Sequence, residues 1–350
     1  MPIETYWSGL ALVVILSIST WLILLARSRR QSVQPQKIPA RPVRALTYIF
    51  RLVGFTFFIV LLLAGGLLLF TSYQTMLSDL APSPSQVNIP PELPFQMEEV
   101  TFTGGDNLEL AGWYVPPANG ATIILLHGYG GNRLGMLWHA QALVEAGYGV
   151  LLYDERASGE SEGWRRSYGW EDASDVGGAL DFLNSRTPDE KNRVGIAGCS
   201  IGGQIALQGA ANYPQIAAVW ADGPSAIRAK DIPIYSWQSL ICYISTNILD
   251  QMYIWIGGIK PPAAMVDIIG AIEPRPIMLV AGGSPHPSFG AEYLHIEPYL
   301  RYAGQHADLW VIEDAIHCDG PIQRPDEYAQ RMIEFFDESL DPALFWKGQP

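Results

Sequence analysis

A doubly wound, mainly parallel α/β sheet is the fold class this 350-residue chain predicts, and three observations carry that expectation. Continuous apolar runs such as ATIILL at 121–126 suit strands buried on both faces. Such runs alternate with helix-like segments between residues 97 and 340, as a parallel sheet with crossover helices requires. Runs at 97–103 and 108–115 flank the turn Gly104-Gly105-Asp106-Asn107 and suggest an antiparallel edge. In order, the strand at 121–126 leads to a helix over 132–146, with Asn132 as its N-cap and Gly147 ending it. A strand at 148–153, a helix at 171–185 and a strand at 193–198 follow, and a further helix opens at Ser200. Later strands at 216–221, 276–281 and 308–312 are separated and closed by helices at 290–303 and 326–340.

Two segments stand outside this pattern. Residues 5–26 and 52–70 carry no charge, and each is long enough to cross a bilayer as a helix, which needs about 20 apolar residues. The expected spans are about 8–26 and 52–70. A cleaved leader is the competing reading for the first. It is weakened because Glu4 precedes the run without any Lys or Arg, and no small-residue cleavage site follows. Arg27, Arg29, Arg30, Lys37, Arg41, Arg44 and Arg51 lie between or beside the two segments without any acid, and positive loops stay in the cytoplasm. A multi-pass membrane anchor over residues 1–78, with the rest of the chain extracytoplasmic, is therefore expected.

The net charge is −13, and the acid excess lies beyond residue 78, where 34 Asp and Glu meet 15 Lys and Arg. That balance argues against nucleic acid as a partner. Residues 79–96 hold five prolines (Pro82, Pro84, Pro90, Pro91 and Pro94) and read as a stiff linker lifting a domain at 97–342 off the membrane. Three cysteines, Cys199, Cys242 and Cys318, make no disulfide framework. No H-E-x-x-H, paired CxxC or EF-hand pattern occurs, so neither metal nor cofactor is expected.

The chemistry-bearing motif is Gly198-Cys199-Ser200-Ile201-Gly202, a G-x-S-x-G between an apolar strand and a helix. A serine on such a strained turn exposes its hydroxyl to a base, and the flanking glycines leave room for the tight backbone. Three further motifs accompany it: His127-Gly128-Tyr129-Gly130-Gly131-Asn132 after the third strand, Asp154 to Ser161 after the fourth, and a late His317 after the last. With this order and spacing, the chain resembles the α/β-hydrolase superfamily over residues 97–340. Within it, the likeness is closer to the bacterial esterase, lipase and serine-aminopeptidase-like branch, particularly members with a membrane anchor.

The resemblance implies an α/β-hydrolase fold with Ser200 as nucleophile and His317 as base. The superfamily order is serine, acid, histidine. The acid departs from the usual pattern, because the loop after the seventh strand (282–292) contains no Asp. Glu292 is the first carboxylate there and is the expected acid. Glu297 is a weaker alternative, and Asp222 after the sixth strand is the main rival. The resemblance also implies an oxyanion hole from the backbone N–H groups of Tyr129 and Ile201. Asp154 and Arg156 are read as loop-stabilising rather than catalytic.

Residues 225–273, between the sixth and seventh strands, hold Tyr235, Trp237, Tyr243, Tyr253 and Trp255. This cap-like insertion suits an apolar substrate wall, its own packed core, or contact with the bilayer. The function expected is cleavage of an ester, thioester or amide bond in a small-molecule or lipid-like acyl substrate, with an esterase favoured over a peptidase. A non-catalytic binding protein of the same fold at the membrane is the alternative, supported only by the missing Asp.

Overall fold

The computed structural model describes residues 41–186, 193–285 and 291–341. Eight strands form one sheet: β1 Glu98–Thr103, β2 Glu109–Val115, β3 Ala121–Leu126, β4 Gly149–Tyr153, β5 Arg193–Cys199, β6 Ile216–Asp222, β7 Ile277–Gly282 and β8 Ala307–Ile312. Their spatial order is β8-β7-β6-β5-β3-β4-β2-β1. The β1–β2 and β2–β4 pairs are antiparallel and all others parallel, so the turn-flanked pair does form an antiparallel edge. All six residues of β3 are buried, which explains the unbroken apolar run at the sheet centre. Each fully buried Ile or Leu there contributes about 1.5–3 kcal/mol.

Helices α2 Leu137–Glu145 and α7 Pro325–Ser339 cover one face of the sheet. Helices α3 Ala173–Arg186, α4 Ile201–Asn212 and α6 Tyr293–Tyr302 cover the other. Helix α7 shows why: Tyr328, Met332 and Phe336 recur every four residues and are fully buried, while Glu327 and Arg331 pair on its outer side. Asn132 caps the short turn before α2, accepting from the Leu134 N–H at 3.0 Å, as expected.

The N-terminal part is one continuous helix, α1 Arg41–Leu80. It contains the expected span at 52–70, and an 18-residue window within Thr47–Leu80 has a mean hydropathy of 2.7. The expected span at 8–26 lies outside the described residues. The C-terminal part of α1 packs on helix α5 Trp237–Trp255 of the 225–273 insertion, and Met76 is buried in the domain core.

The proline-rich segment differs from expectation. Instead of spacing the domain from α1, it straps onto it. The Ser83 and Ser85 N–H groups donate to Ala157 O and Gly159 O, both at 2.8 Å. Arg133 reaches Val87 O, and Val87 is buried in the core on the α2 and α7 face of the sheet. Proline fixes an extended backbone, and here tertiary hydrogen bonds use that extension for docking.

Candidate active site

Ser200 sits between β5 and α4 with φ +59° and ψ −120°, a strained conformation for a side-chain-bearing residue. The cause is local crowding. A Cβ at Gly198 would lie 2.3 Å from Gly202 C, and one at Gly202 would lie 2.3 Å from Leu126 O. Both glycines are therefore obligatory for the turn. The Ser200 N–H donates to Asp222 O at 2.8 Å, which ties the elbow to the end of β6.

His317 follows β8, and its Nε2 lies 2.9 Å from Ser200 Oγ. On the other side, its Nδ1 lies 2.5 Å from Glu292 Oε1. Glu292 is buried, and its Oε2 accepts the Gly282 N–H at 2.7 Å. It stands at the N-terminus of α6 but its side chain makes no cap hydrogen bond, so its carboxylate is committed to His317 and Gly282. Burial alone would lower the pKa of His317. The hydrogen bond and charge of Glu292 outweigh burial and hold it above the ordinary histidine value. The Asp319 carboxylate accepts the Ile316 N–H at 2.6 Å, and Cys318 takes φ +54°, which shapes the turn presenting His317.

Asp222, the rival acid, faces elsewhere. Its Oδ2 accepts the Tyr328 hydroxyl at 2.8 Å, and Tyr328 Oη in turn accepts Trp220 Nε1–H at 2.8 Å. Burial pushes Asp222 up to about 7, only partly opposed by that hydrogen bond. Glu297 pairs with Arg301 on the surface at 2.7 Å. The structure thus brings Ser200, His317 and Glu292 together and leaves Asp222 and Glu297 out of the relay.

Gly128 packs against the elbow: a Cβ there would lie 3.6 Å from Ser200 Cβ. The next residue, Tyr129, and Ile201 each present a backbone N–H that donates to no hydrogen bond among the described residues. Two such donors beside Ser200 suit a developing oxyanion. His127 is structural. Its Nε2 accepts the Glu155 N–H at 3.0 Å, its Nδ1 lies 2.9 Å from Gly128 O, and burial lowers its pKa. Asp154 and Arg156 hold loops together: Arg133 pairs with Asp154, and Arg156 pairs with Asp175 at 2.8 Å and Asp106 at 2.9 Å.

Two residues near the centre were not singled out from the sequence. Ser225 Oγ lies 3.2 Å from Ser200 Oγ. Gly223, at φ +55°, makes room for the histidine–carboxylate pair, because a Cβ there would lie 2.8 Å from Glu292 Oε1 and 3.0 Å from His317 Nδ1. No cluster of metal-ligating side chains occurs among the described residues.

Comparison with known proteins gives the same fold. The chain is similar to the esterase Pf2001 of Pyrococcus furiosus, with a TM-score of 0.60 at 23% identity, covering 74% of this chain and 99% of that one. It belongs to the α/β-hydrolase superfamily. The family model described as X-Pro dipeptidyl-peptidase (S15 family) matches this α/β hydrolase over residues 67–238, a stretch that ends before Glu292 and His317. Among curated relatives, the uncharacterized protein YfhR of Escherichia coli (strain K12) is 28% identical over 258 residues, covering 71% of this chain and 84% of that protein. The thiohydrolase aneE of Aspergillus aculeatus is 33% identical over 113 residues, covering 31% of this chain and 36% of that protein. Hydrolases thus surround this chain in both sequence and fold.

Proposed function

We propose that this α/β hydrolase is a membrane-anchored serine hydrolase acting on an ester, thioester or amide bond. The observation that carries the reading is the unbroken relay from Ser200 Oγ through His317 to Glu292, at 2.9 and 2.5 Å. In this reading His317 Nε2 takes the Ser200 proton as Oγ attacks the carbonyl carbon. Glu292 holds the imidazole in the required tautomer and stabilises the imidazolium. The N–H groups of Tyr129 and Ile201 hold the oxyanion. His317 then protonates the leaving group, and water activated by the same histidine releases the acid from Ser200.

An acyl substrate of lipid-like character is favoured. Helix α1 is long and apolar enough to cross a bilayer, and it packs on an insertion whose Trp237 and Trp255 are exposed. The arginines before and within α1 favour a cytoplasmic loop, with two spanning segments and the catalytic domain on the other side. The match to a peptidase family keeps amide cleavage as the second reading.

Purified full-length protein in nanodiscs, assayed on p-nitrophenyl esters of increasing chain length and on aminoacyl p-nitroanilides, tests the proposal. Turnover of esters, lost in Ser200→Ala, is expected. An unchanged rate in that variant would contradict the assignment, and turnover of anilides alone would replace the esterase reading with the peptidase one.

A further inference from the structure

The last turn of α1 does more than reach the domain. Ser78 O accepts the Tyr129 hydroxyl at 3.1 Å and Arg166 Nη2–H at 2.7 Å. Arg166 Nη2 also donates to Tyr129 Oη at 2.9 Å, and Arg166 Nε donates to Ala81 O at 2.5 Å. The guanidinium lies 4.3 Å above the Tyr129 ring. One residue on, Asp79 is buried, and its Oδ2 accepts the Tyr253 hydroxyl of α5 at 2.5 Å. The Tyr168 ring bridges the two sides, edge-on to Tyr129 at 5.4 Å and stacked on Tyr253 at 6.3 Å. The helix end offers unpaired carbonyls and negative partial charge, and Arg166 meets both.

We propose that the C-terminal turn of α1 is a positioning element for the oxyanion loop, so that the membrane helix and the acyl-transfer centre form one working unit. The proposal rests on reading the Tyr129 N–H as an oxyanion donor. The loop from Gly128 to Gly131 holds three glycines and is conformationally soft on its own. Its one large side chain is the one the helix end grips. Arg166 Nη1 also stands 3.2 Å from where a Gly130 Cβ would be, so the same cation backs the loop at a second point. Oxyanion donors act through fixed orientation, and a donor that wanders must be reorganised in each turnover. Loosening the grip should therefore lower kcat and leave KM nearly unchanged.

Tyr129→Phe keeps the backbone N–H and removes only the hydroxyl that meets α1. Asp79→Ala removes the acceptor for Tyr253, and Asp79→Asn retains one. The expected result for Tyr129→Phe and Asp79→Ala is a fall in kcat of about three- to tenfold. Faster amide hydrogen exchange at residues 128–131 should accompany it, while Asp79→Asn stays near wild type in both. Unchanged exchange at 128–131 in Tyr129→Phe and Asp79→Ala would overturn the coupling, whatever the activity. Faster exchange with unchanged kcat would also overturn the positioning role. A wild type that turns over no substrate would contradict the proposed function instead, leaving the exchange measurement to decide the coupling by itself.

Discussion

Two carboxylates lie buried near the active centre, one at the end of β6 and one at the start of α6, and they have opposite fates. Glu292, after β7, spends its oxygens on His317 Nδ1 and the Gly282 N–H. Asp222, at the end of β6, takes the Tyr328 hydroxyl and is pushed by burial up to about 7. Both residues are 5% exposed or less, so burial does not separate them. What separates them is the direction of the oxygens. Glu292 faces a group that becomes cationic during the reaction, and Asp222 faces a neutral hydroxyl donor. A carboxylate supports a base only where it can touch it, and the seventh-strand loop gives Glu292 that reach.

The largest effect that would break this contrast comes from exchanging the acids for amides. Glu292→Gln is expected to lower kcat by about a thousandfold, through the wrong imidazole tautomer and a less stabilised imidazolium. Asp222→Asn should change kcat by less than about threefold, because an amide oxygen still accepts the Tyr328 hydroxyl. Steady-state kinetics of the two variants checks both, and the reverse ranking would make Asp222 the acid. Gly223→Ala is expected to fall close to Glu292→Gln in activity, since the added methyl would occupy the space of the His317–Glu292 pair.

A smaller effect sharpens the same contrast through pH. His317 must be neutral to accept the serine proton, and Glu292 raises its pKa. The acid limb of kcat/KM should therefore lie above the ordinary histidine value in the wild type. In whatever activity Glu292→Gln retains, the limb should move down. Asp222 acts on stability instead. Its folded pKa is raised from 3.8 to about 7, so the folded state holds the proton more tightly. The stability this contributes is complete below pH 3.8 and is lost as pH rises towards 7. Asp222→Asn should flatten that part of the Tm profile. A profile parallel to wild type would show that Asp222 is not desolvated.

A more modest loss than at Glu292 or Gly223 is expected at Ser225, whose hydroxyl lies 3.2 Å from Ser200 Oγ. Ser225→Ala should cost kcat about two- to tenfold if that contact orients the nucleophile. A silent variant would mark the contact as incidental.

Much of the site was legible because backbone crowding writes itself into residue type. Gly198 and Gly202 announce the Ser200 turn, since no other residue fits within 2.3 Å of the facing backbone. Glu292 emerged from a loop without Asp, and the buried run of β3 marked the sheet centre. Other features depend on partners distant in the chain. The extended prolines of 79–96 suit a free spacer and a docked strap equally. Only the carbonyls of Ala157 and Gly159 decide between them. Asp79 looks like the polar end of an apolar helix until Tyr253, 174 residues later, is seen donating to it. Gly223 resembles any turn glycine until the His317–Glu292 pair is in place beside it.

The most direct test of the central claim is labelling of the full-length protein with a fluorophosphonate probe, with peptide mass mapping of the adduct. A single adduct on Ser200, lost in Ser200→Ala and strongly slowed in Glu292→Gln, is the expected result. Folded wild type that takes up no probe, or labels at another residue, would contradict an activated Ser200.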